Sequence, residues 1–383
     1  MTLLRTFFAA IALVASVSAA IAQDYQTKAK QAILLDASNG SVLFQKNADE
    51  LMPPASMAKL MTMEVVFDAL KSGSLSMDDK FRVSQDAWRR GGANSGGSTM
   101  FAKVNSDIRL EDLIKGVVVV SANDASIAIA EGMAGSEAAF GGLMTERARS
   151  IGLEKSIFKN ATGLPHPEQL VTARELAELA RHLIKEYPEY YEFYQIPSFK
   201  WGRVNQNNRN PLLGRVEGAD GLKTGYTQAS GYGLVGSAVQ DGRRLILVLN
   251  GMSSKSERSQ EAIKLMRWGF RAFRLVDLFG EGEAVGEATV YGGEKGGVAV
   301  RGEGPLQIYL PIGRTDSLRA DIVFDGPIPA PVQEGDRIAK LQVRIGDKLS
   351  QETPLYAAES VGVGSVTQRA MSAAQELVRG LFD

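Results

Sequence analysis

Cysteine is absent from all 383 residues, and histidine occurs only as His166 and His182. The first absence excludes disulfides, thiolate nucleophiles and zinc-thiolate sites. The second leaves histidine-based triads and metal sites short of members, because each such histidine needs a defined partner. Neither sign of charge dominates, since 43 Lys and Arg stand against 44 Asp and Glu for a net charge of -1. No global field therefore draws the chain to nucleic acid, and no nucleic-acid partner is expected. Covalent chemistry in such a chain has to use a nucleophile other than cysteine, with lysine as the base to look for.

What is present is ordered along the chain. Arg5, the apolar run Phe7 to Val17 and the small-x-small end Ala20-Ile21-Ala22 read as a cleavable secretory signal over 1–22. A mature chain starting near Gln23 or Asp24 is then exported. Ala32–Leu35 and Val42–Phe44 flank Ser38-Asn39-Gly40, which predicts a β-hairpin. After Pro53-Pro54, Leu60, Met63, Phe67 and Leu70 form one helical stripe over 56–70, stopped by Gly73. Residues 110–133 read as a second apolar helical region. Thr172-Ala173-Arg174-Glu175 reads as a capping box that opens a third helix. Leu234–Gly236 and Leu245–Leu249, joined by Asp241-Gly242, predict another hairpin, followed by helix period over 256–273.

Hairpin, helices, hairpin and long helix together predict an α+β domain over 23–279, with an antiparallel sheet covered by helices. From 280 to 358 short β-rich runs alternate with Gly and Pro, as in a small β-sandwich. Over 365–383, Val366, Ala370, Ala373, Leu377, Leu381 and Phe382 share one face of an amphipathic helix. That face fits peripheral membrane contact as well as it fits packing on protein.

The chemistry gathers in three short motifs. Ser56-Met57-Ala58-Lys59 opens a helix, so the hydroxyl and the amine share a face one turn apart. Serine becomes a nucleophile when its proton is removed, and lysine removes it only if burial or a nearby cation lowers its pKa. Alone the motif is weak; Ser156-Ile157-Phe158-Lys159 repeats the spacing and reads as an ordinary surface turn. Ser121-Ala122-Asn123 adds a hydroxyl able to relay a proton and an amide able to hold a peptide carbonyl. Lys223-Thr224-Gly225, leading into a strand, adds a cation, a second hydroxyl and a closely approaching backbone. An extended peptide would pair with that strand edge, with Lys223 perturbing Lys59.

These three motifs in this order, with Pro54–Thr62, Phe158–Leu164, Asn208-Arg209-Asn210 and Trp268–Arg271, resemble the serine D-alanyl-D-alanine carboxypeptidases. These are low-molecular-mass penicillin-binding proteins of the β-lactamase/transpeptidase-like fold. The resemblance runs from about Tyr25 to Leu355 and implies peptidoglycan pentapeptide stems as substrate, β-lactams as inhibitors, a periplasmic location and no cofactor or metal. It implies Ser56 as nucleophile on the penultimate D-alanine carbonyl, Lys59 as proton acceptor, and Ser121 with Lys223 as the relay to the leaving amine. Asn123 would orient the substrate, Thr224 and Arg258 would meet its carboxylate, and the N–H groups of Ser56 and of Tyr226, just after Gly225, would form the oxyanion hole. Tyr226 stands where histidine or a small hydroxyl residue is more usual in the family.

A β-lactamase of the same fold needs a glutamate-held water, and no Glu-x-x-x-Asn lies between the second and third motifs. An endopeptidase or transpeptidase would use the same residues. A non-catalytic wall-binding protein would not need an activated serine. Tyr187, Tyr190, Tyr191 and Tyr194 read as helix packing, and Gly91–Ser98 as a mobile loop beside the site rather than a phosphate loop.

Overall fold

The computed structural model describes residues 25–312, 318–346 and 348–379. The predicted signal over 1–22 lies outside them. Strands β1 (Gln31–Asp36) and β2 (Val42–Lys46) form the first hairpin, and a single 3-10 turn over Ala55–Ala58 leads into α1 (Lys59–Lys71). The short pair β3 (Lys80–Arg82) and β4 (Asp107–Arg109) brackets α2 (Gln85–Gly91). Then come α3 (Leu110–Val120), α4 (Asn123–Ala134), α5 (Glu137–Ser150), α6 (Ala173–Glu186), the one-turn α7 (Pro188–Tyr191) and the small hairpin β5 (Ser198–Trp201) and β6 (Val204–Asn207). Strands β7 (Ala219–Thr227), β8 (Gly231–Gln240) and β9 (Arg243–Met252) precede α8 (Lys255–Arg271).

The first and last strands of this unit meet in one antiparallel sheet, ordered β2-β1-β9-β8-β7. Both faces are covered, so its central strands are apolar throughout instead of alternating. In β9, Ile246 and Val248 face the core shared with α1, α3 and α6, while Leu245, Leu247 and Leu249 face the core shared with α8. Ile33 and Leu35 of β1 divide from Ala32 and Leu34 in the same way. Strand β7 is left at the edge, with one side open to an extended ligand.

Several expectations change. The apolar region 110–133 is two helices, broken at Ser121, whose φ is +65°. The helical period expected to reach 273 ends at Arg271, and Phe273 begins the next strand. Thr172 caps α6 by accepting from the Glu175 N–H, but the Glu175 carboxylate turns away to accept from the Lys155 N–H and the Ser156 hydroxyl. Ser156 is therefore buried, contrary to the surface turn expected there. The aromatic cluster packs as expected, with Tyr187, Tyr191 and Tyr194 buried.

The C-terminal strands are β10 (Phe273–Phe279), β11 (Ala284–Tyr291), β12 (Gly297–Arg301), β13 (Leu306–Pro311), β14 (Leu318–Val323), β15 (Ile328–Pro329), β16 (Arg337–Ile345) and β17 (Lys348–Ala357). Strand β10 pairs with β13, and the other six form one sheet ordered β14-β16-β17-β12-β11-β15. The two layers enclose a common core that includes Val290, Val300, Ile308, Leu341 and Leu355. Helix α9 (Val366–Arg379) is docked by Gln368 on the Glu294 carbonyl, and its Val366 and Met371 are exposed. Leu381 and Phe382 of its expected stripe lie outside the described residues. Among the described residues no helix is long and apolar enough to cross a membrane.

Candidate active site

The three motifs, far apart in sequence, meet where β7 crosses the turn that carries Ser56. Ala55 has a φ of +47°, outside the usual range for a residue with a side chain, and this bends the chain just before the nucleophile. Two glycines let other segments approach that bend. A Cβ on Gly163, itself at φ +76°, would lie 1.9 Å from the Ala55 carbonyl oxygen. A Cβ on Gly225 would lie 3.1 Å from both Met57 Cγ and the Pro54 carbonyl oxygen. Gly225 thus brings the backbone of Tyr226 alongside Ser56.

Lys59 is fully buried, and its amine has three neighbours: Ser56 Oγ at 3.2 Å, Asn123 Oδ1 at 2.8 Å and the Thr162 carbonyl oxygen. An amide oxygen and a carbonyl oxygen can only accept. A protonated amine would donate to all three oxygens; in the neutral form, with two hydrogens and one lone pair, it donates to these two and offers the lone pair to the Ser56 hydroxyl. Burial is the main cause that lowers the Lys59 pKa to about 7. Glu137 and Asp124 oppose the shift, and the cation that adds to it is Arg209, not the expected Lys223. The repulsion between the two lysines acts instead on Lys223, which burial first, then Lys59, Arg209 and Arg258, push well below its ordinary value.

Ser121 owes its place to the break between α3 and α4. In its left-handed conformation the hydroxyl accepts from Lys223 Nζ at 2.8 Å, and Lys223 also donates to the Thr224 carbonyl at 3.0 Å. Asn123 begins α4, and its N–H donates to the Ser98 carbonyl at 2.7 Å, which puts the glycine-rich loop beside the site as expected. The loop is fixed further by buried Asp124, which accepts from Thr99 Oγ1 and from the Met100 and Ala102 N–H groups.

On α8, Arg258 is buried with its guanidinium 6.0 Å from the Tyr232 ring and its Nε without a partner among the described residues. Burial lowers its pKa to about 10, with Arg209 adding to the shift. Tyr226 is half exposed and stacks on Tyr232 with centroids 4.1 Å apart. Thr224 is buried on β7 between Lys223 and Gly225. The pocket therefore joins a serine and a lysine of lowered pKa to an excess of positive charge, which suits acyl transfer on a substrate that carries a carboxylate.

A family profile described as "D-alanyl-D-alanine carboxypeptidase" matches residues 16–254. This chain belongs to the D-alanyl-D-alanine carboxypeptidase family. A second profile, "Penicillin-binding protein 5, C-terminal domain", matches residues 273–363. The chain is 37% identical to the D-alanyl-D-alanine carboxypeptidase DacC of Escherichia coli over 335 residues, 87% of this chain and 84% of that protein. It resembles penicillin binding protein 5 of Haemophilus influenzae, with a TM-score of 0.73 and 33% identity over 89% of this chain and 99% of that one. It also resembles Penicillin-Binding Protein D2 of Listeria monocytogenes, solved in the ampicillin-bound form, with a TM-score of 0.56 and 30% identity over 65% of this chain and 100% of that one. The protein is a serine-type D-Ala-D-Ala carboxypeptidase, a hydrolase.

Reading the sequence missed four contributors to the carboxypeptidase site: Arg209, Asp124, Glu137 and the Thr162 carbonyl. Arg209 and Thr162 lie inside segments that carry the family resemblance, which was the one available signal for them. Among the described residues no group of three or more His, Asp or Glu side chains is placed to hold a metal ion.

Proposed function

We propose that the enzyme removes the terminal D-alanine from peptidoglycan pentapeptide stems through an acyl-enzyme on Ser56. Ser56 Oγ attacks the carbonyl carbon of the penultimate D-alanine, and its proton passes to the neutral Lys59 amine. The oxyanion is met by the N–H groups of Ser56 and Tyr226. The scissile C–N bond then breaks, and Ser121 with Lys223 relays the proton held by Lys59 to the departing D-alanine amine, leaving Lys59 neutral again. A water molecule next attacks the ester and gives up a proton to Lys59, which passes it to Ser56 Oγ as the ester C–O bond breaks, releasing the shortened stem and the free Ser56 hydroxyl. The observation that carries this reading is the fully buried Lys59 amine, held by Asn123 Oδ1 and the Thr162 carbonyl 3.2 Å from Ser56 Oγ.

Thr224, Arg258 and Lys223 receive the substrate carboxylate, and Asn123 orients the peptide along β7. The unpartnered Arg258 Nε supports this role, because a buried guanidinium needs an anion. β-Lactams, which carry an equivalent carboxylate, acylate the same serine. Residues 23–279 form the catalytic part, 280–358 a β-rich support, and 365–383 the terminal helix. Export places the enzyme in the periplasm, where its substrate is.

The test is the rate of cleavage of a diacyl-D-Ala-D-Ala peptide, read as released D-alanine, and of its C-terminal carboxamide, read as released D-alaninamide, using wild type and Arg258→Ala. Truncating one partner of a buried charge pair predicts a loss of kcat/KM on the order of a hundredfold for the acid. The carboxamide should be a poor substrate for both enzymes. Equal turnover of acid and amide by the wild type would contradict the carboxylate role and favour an endopeptidase reading.

A further inference from the structure

Glu137 opens α5 and is almost wholly buried. Its Oε2 accepts from Arg90 Nη2 at 2.7 Å, and its Oε1 lies 3.2 Å from the Thr162 hydroxyl, whose single hydrogen it shares with Asn160 Oδ1 at 3.0 Å. Thr162 is itself buried, and its carbonyl oxygen is one of the two acceptors that fix the Lys59 amine. The carboxylate is therefore linked to the base through a single residue.

We infer that Glu137 is a positioning residue for the base: through Thr162 it fixes the direction of the Lys59 lone pair, and its negative charge keeps that amine able to take the serine proton. The inference rests on the assignment of Lys59 as base and extends it to a residue that touches neither substrate nor nucleophile.

The charges around Lys59 explain why one carboxylate matters. Arg209 favours the neutral amine, and Lys223, with Arg258 behind it, adds to the positive character of the pocket. Against them stand Glu137 and Asp124. Asp124 already accepts from the Thr99 hydroxyl and from the Met100, Ala102 and Ala125 N–H groups, so local dipoles offset much of its charge. Glu137 is offset mainly by Arg90, and Arg90 divides its guanidinium between Glu137 and Asp86, 2.9 Å away. Burial alone would carry a lysine below the range in which it accepts a proton readily, and the best base has a pKa close to the working pH. Glu137 is the largest influence that holds Lys59 up.

The test is the second-order rate of acylation by benzylpenicillin as a function of pH, for wild type, Glu137→Gln, Glu137→Asp and Thr162→Val. Removing the charge should move the acid limb of Glu137→Gln down by about one pH unit, as loss of a nearby opposite charge does. On the alkaline plateau its rate should fall several-fold, because a weaker base transfers the proton less readily. Glu137→Asp keeps the charge and should hold its limb closer to wild type than Glu137→Gln does. Thr162→Val keeps the carbonyl but cuts the link to Glu137, and should lower the plateau. It also decides the matter if Glu137→Gln fails to fold. A Glu137→Gln limb that superposes on wild type, with the rate reduced equally at every pH, would overturn the inference, as would an unchanged profile in Thr162→Val. Failure of the catalytic reading itself would look different, since the wild type would then form no adduct at any pH or would show its own acid limb near the ordinary lysine value.

Discussion

Ser56→Ala is expected to reduce D-alanine release by about 10⁴-fold or more, the scale on which removing the nucleophile acts in serine hydrolases. The variant should still fold. Ser56 is only partly buried, its side chain makes one hydrogen bond, and alanine fits the turn fixed by Ala55, Gly163 and Gly225. It should also still bind substrate, because Thr224, Lys223 and Arg258 are untouched. Unchanged binding with lost turnover, measured by ligand-induced thermal shift beside the kinetics, separates a missing nucleophile from a damaged pocket.

The second large effect concerns the base. Lys59→Ala should slow acylation by about a thousandfold, within the usual range for losing a general base. Lys59→Arg should be no better, because a guanidinium stays protonated and has no lone pair to offer. In the wild type the neutral amine is the active form, and its pKa lies at about 7 instead of the ordinary 10.5. Acylation should therefore rise as pH climbs through about 7 and then level off. A limb near the ordinary lysine value would mean that Lys59 is charged in the resting site and that another group takes the proton. The same shift bears on stability with a defined sign. The unfolded chain holds the proton between about pH 7 and 10.5 while the folded chain does not, so this group makes the protein more stable as pH rises through that window.

The parts of this account that were legible in the sequence are those with a local signature. The two proline residues before Ser56 and the stripe from Leu60 to Leu70 located the nucleophile helix, because period and entry chemistry lie within a few residues of each other. The apolar run Leu245–Leu249 marked a central strand, although that it serves two cores appears only in three dimensions. The break at Ser121 was hidden because apolar residues continue at helical spacing on both sides, with neither glycine nor proline to mark it. The Thr162 carbonyl was hidden for a deeper reason. Any residue has a carbonyl, and its contact with Lys59 spans 103 positions.

Ser156 shows the converse. It repeats the Ser-x-x-Lys spacing of the nucleophile, yet its hydroxyl is bound to Glu175 and Lys159 pairs outward with Glu168. Spacing alone brought a hydroxyl and an amine close in sequence; what separates the two copies is the burial that lowers the Lys59 pKa and holds its amine against Ser56. Arg209 was quoted for resemblance without a role, and its part became visible only with the positive charge of the whole pocket assembled.

The most direct test of the central claim is mass spectrometry of the mature protein after brief exposure to benzylpenicillin, with peptide mapping of the adduct. The account predicts a mass increase of one intact drug molecule, carried by the peptide containing Ser56 and absent in Ser56→Ala. An adduct on any other residue, or none at all in an enzyme that still releases D-alanine, would contradict it.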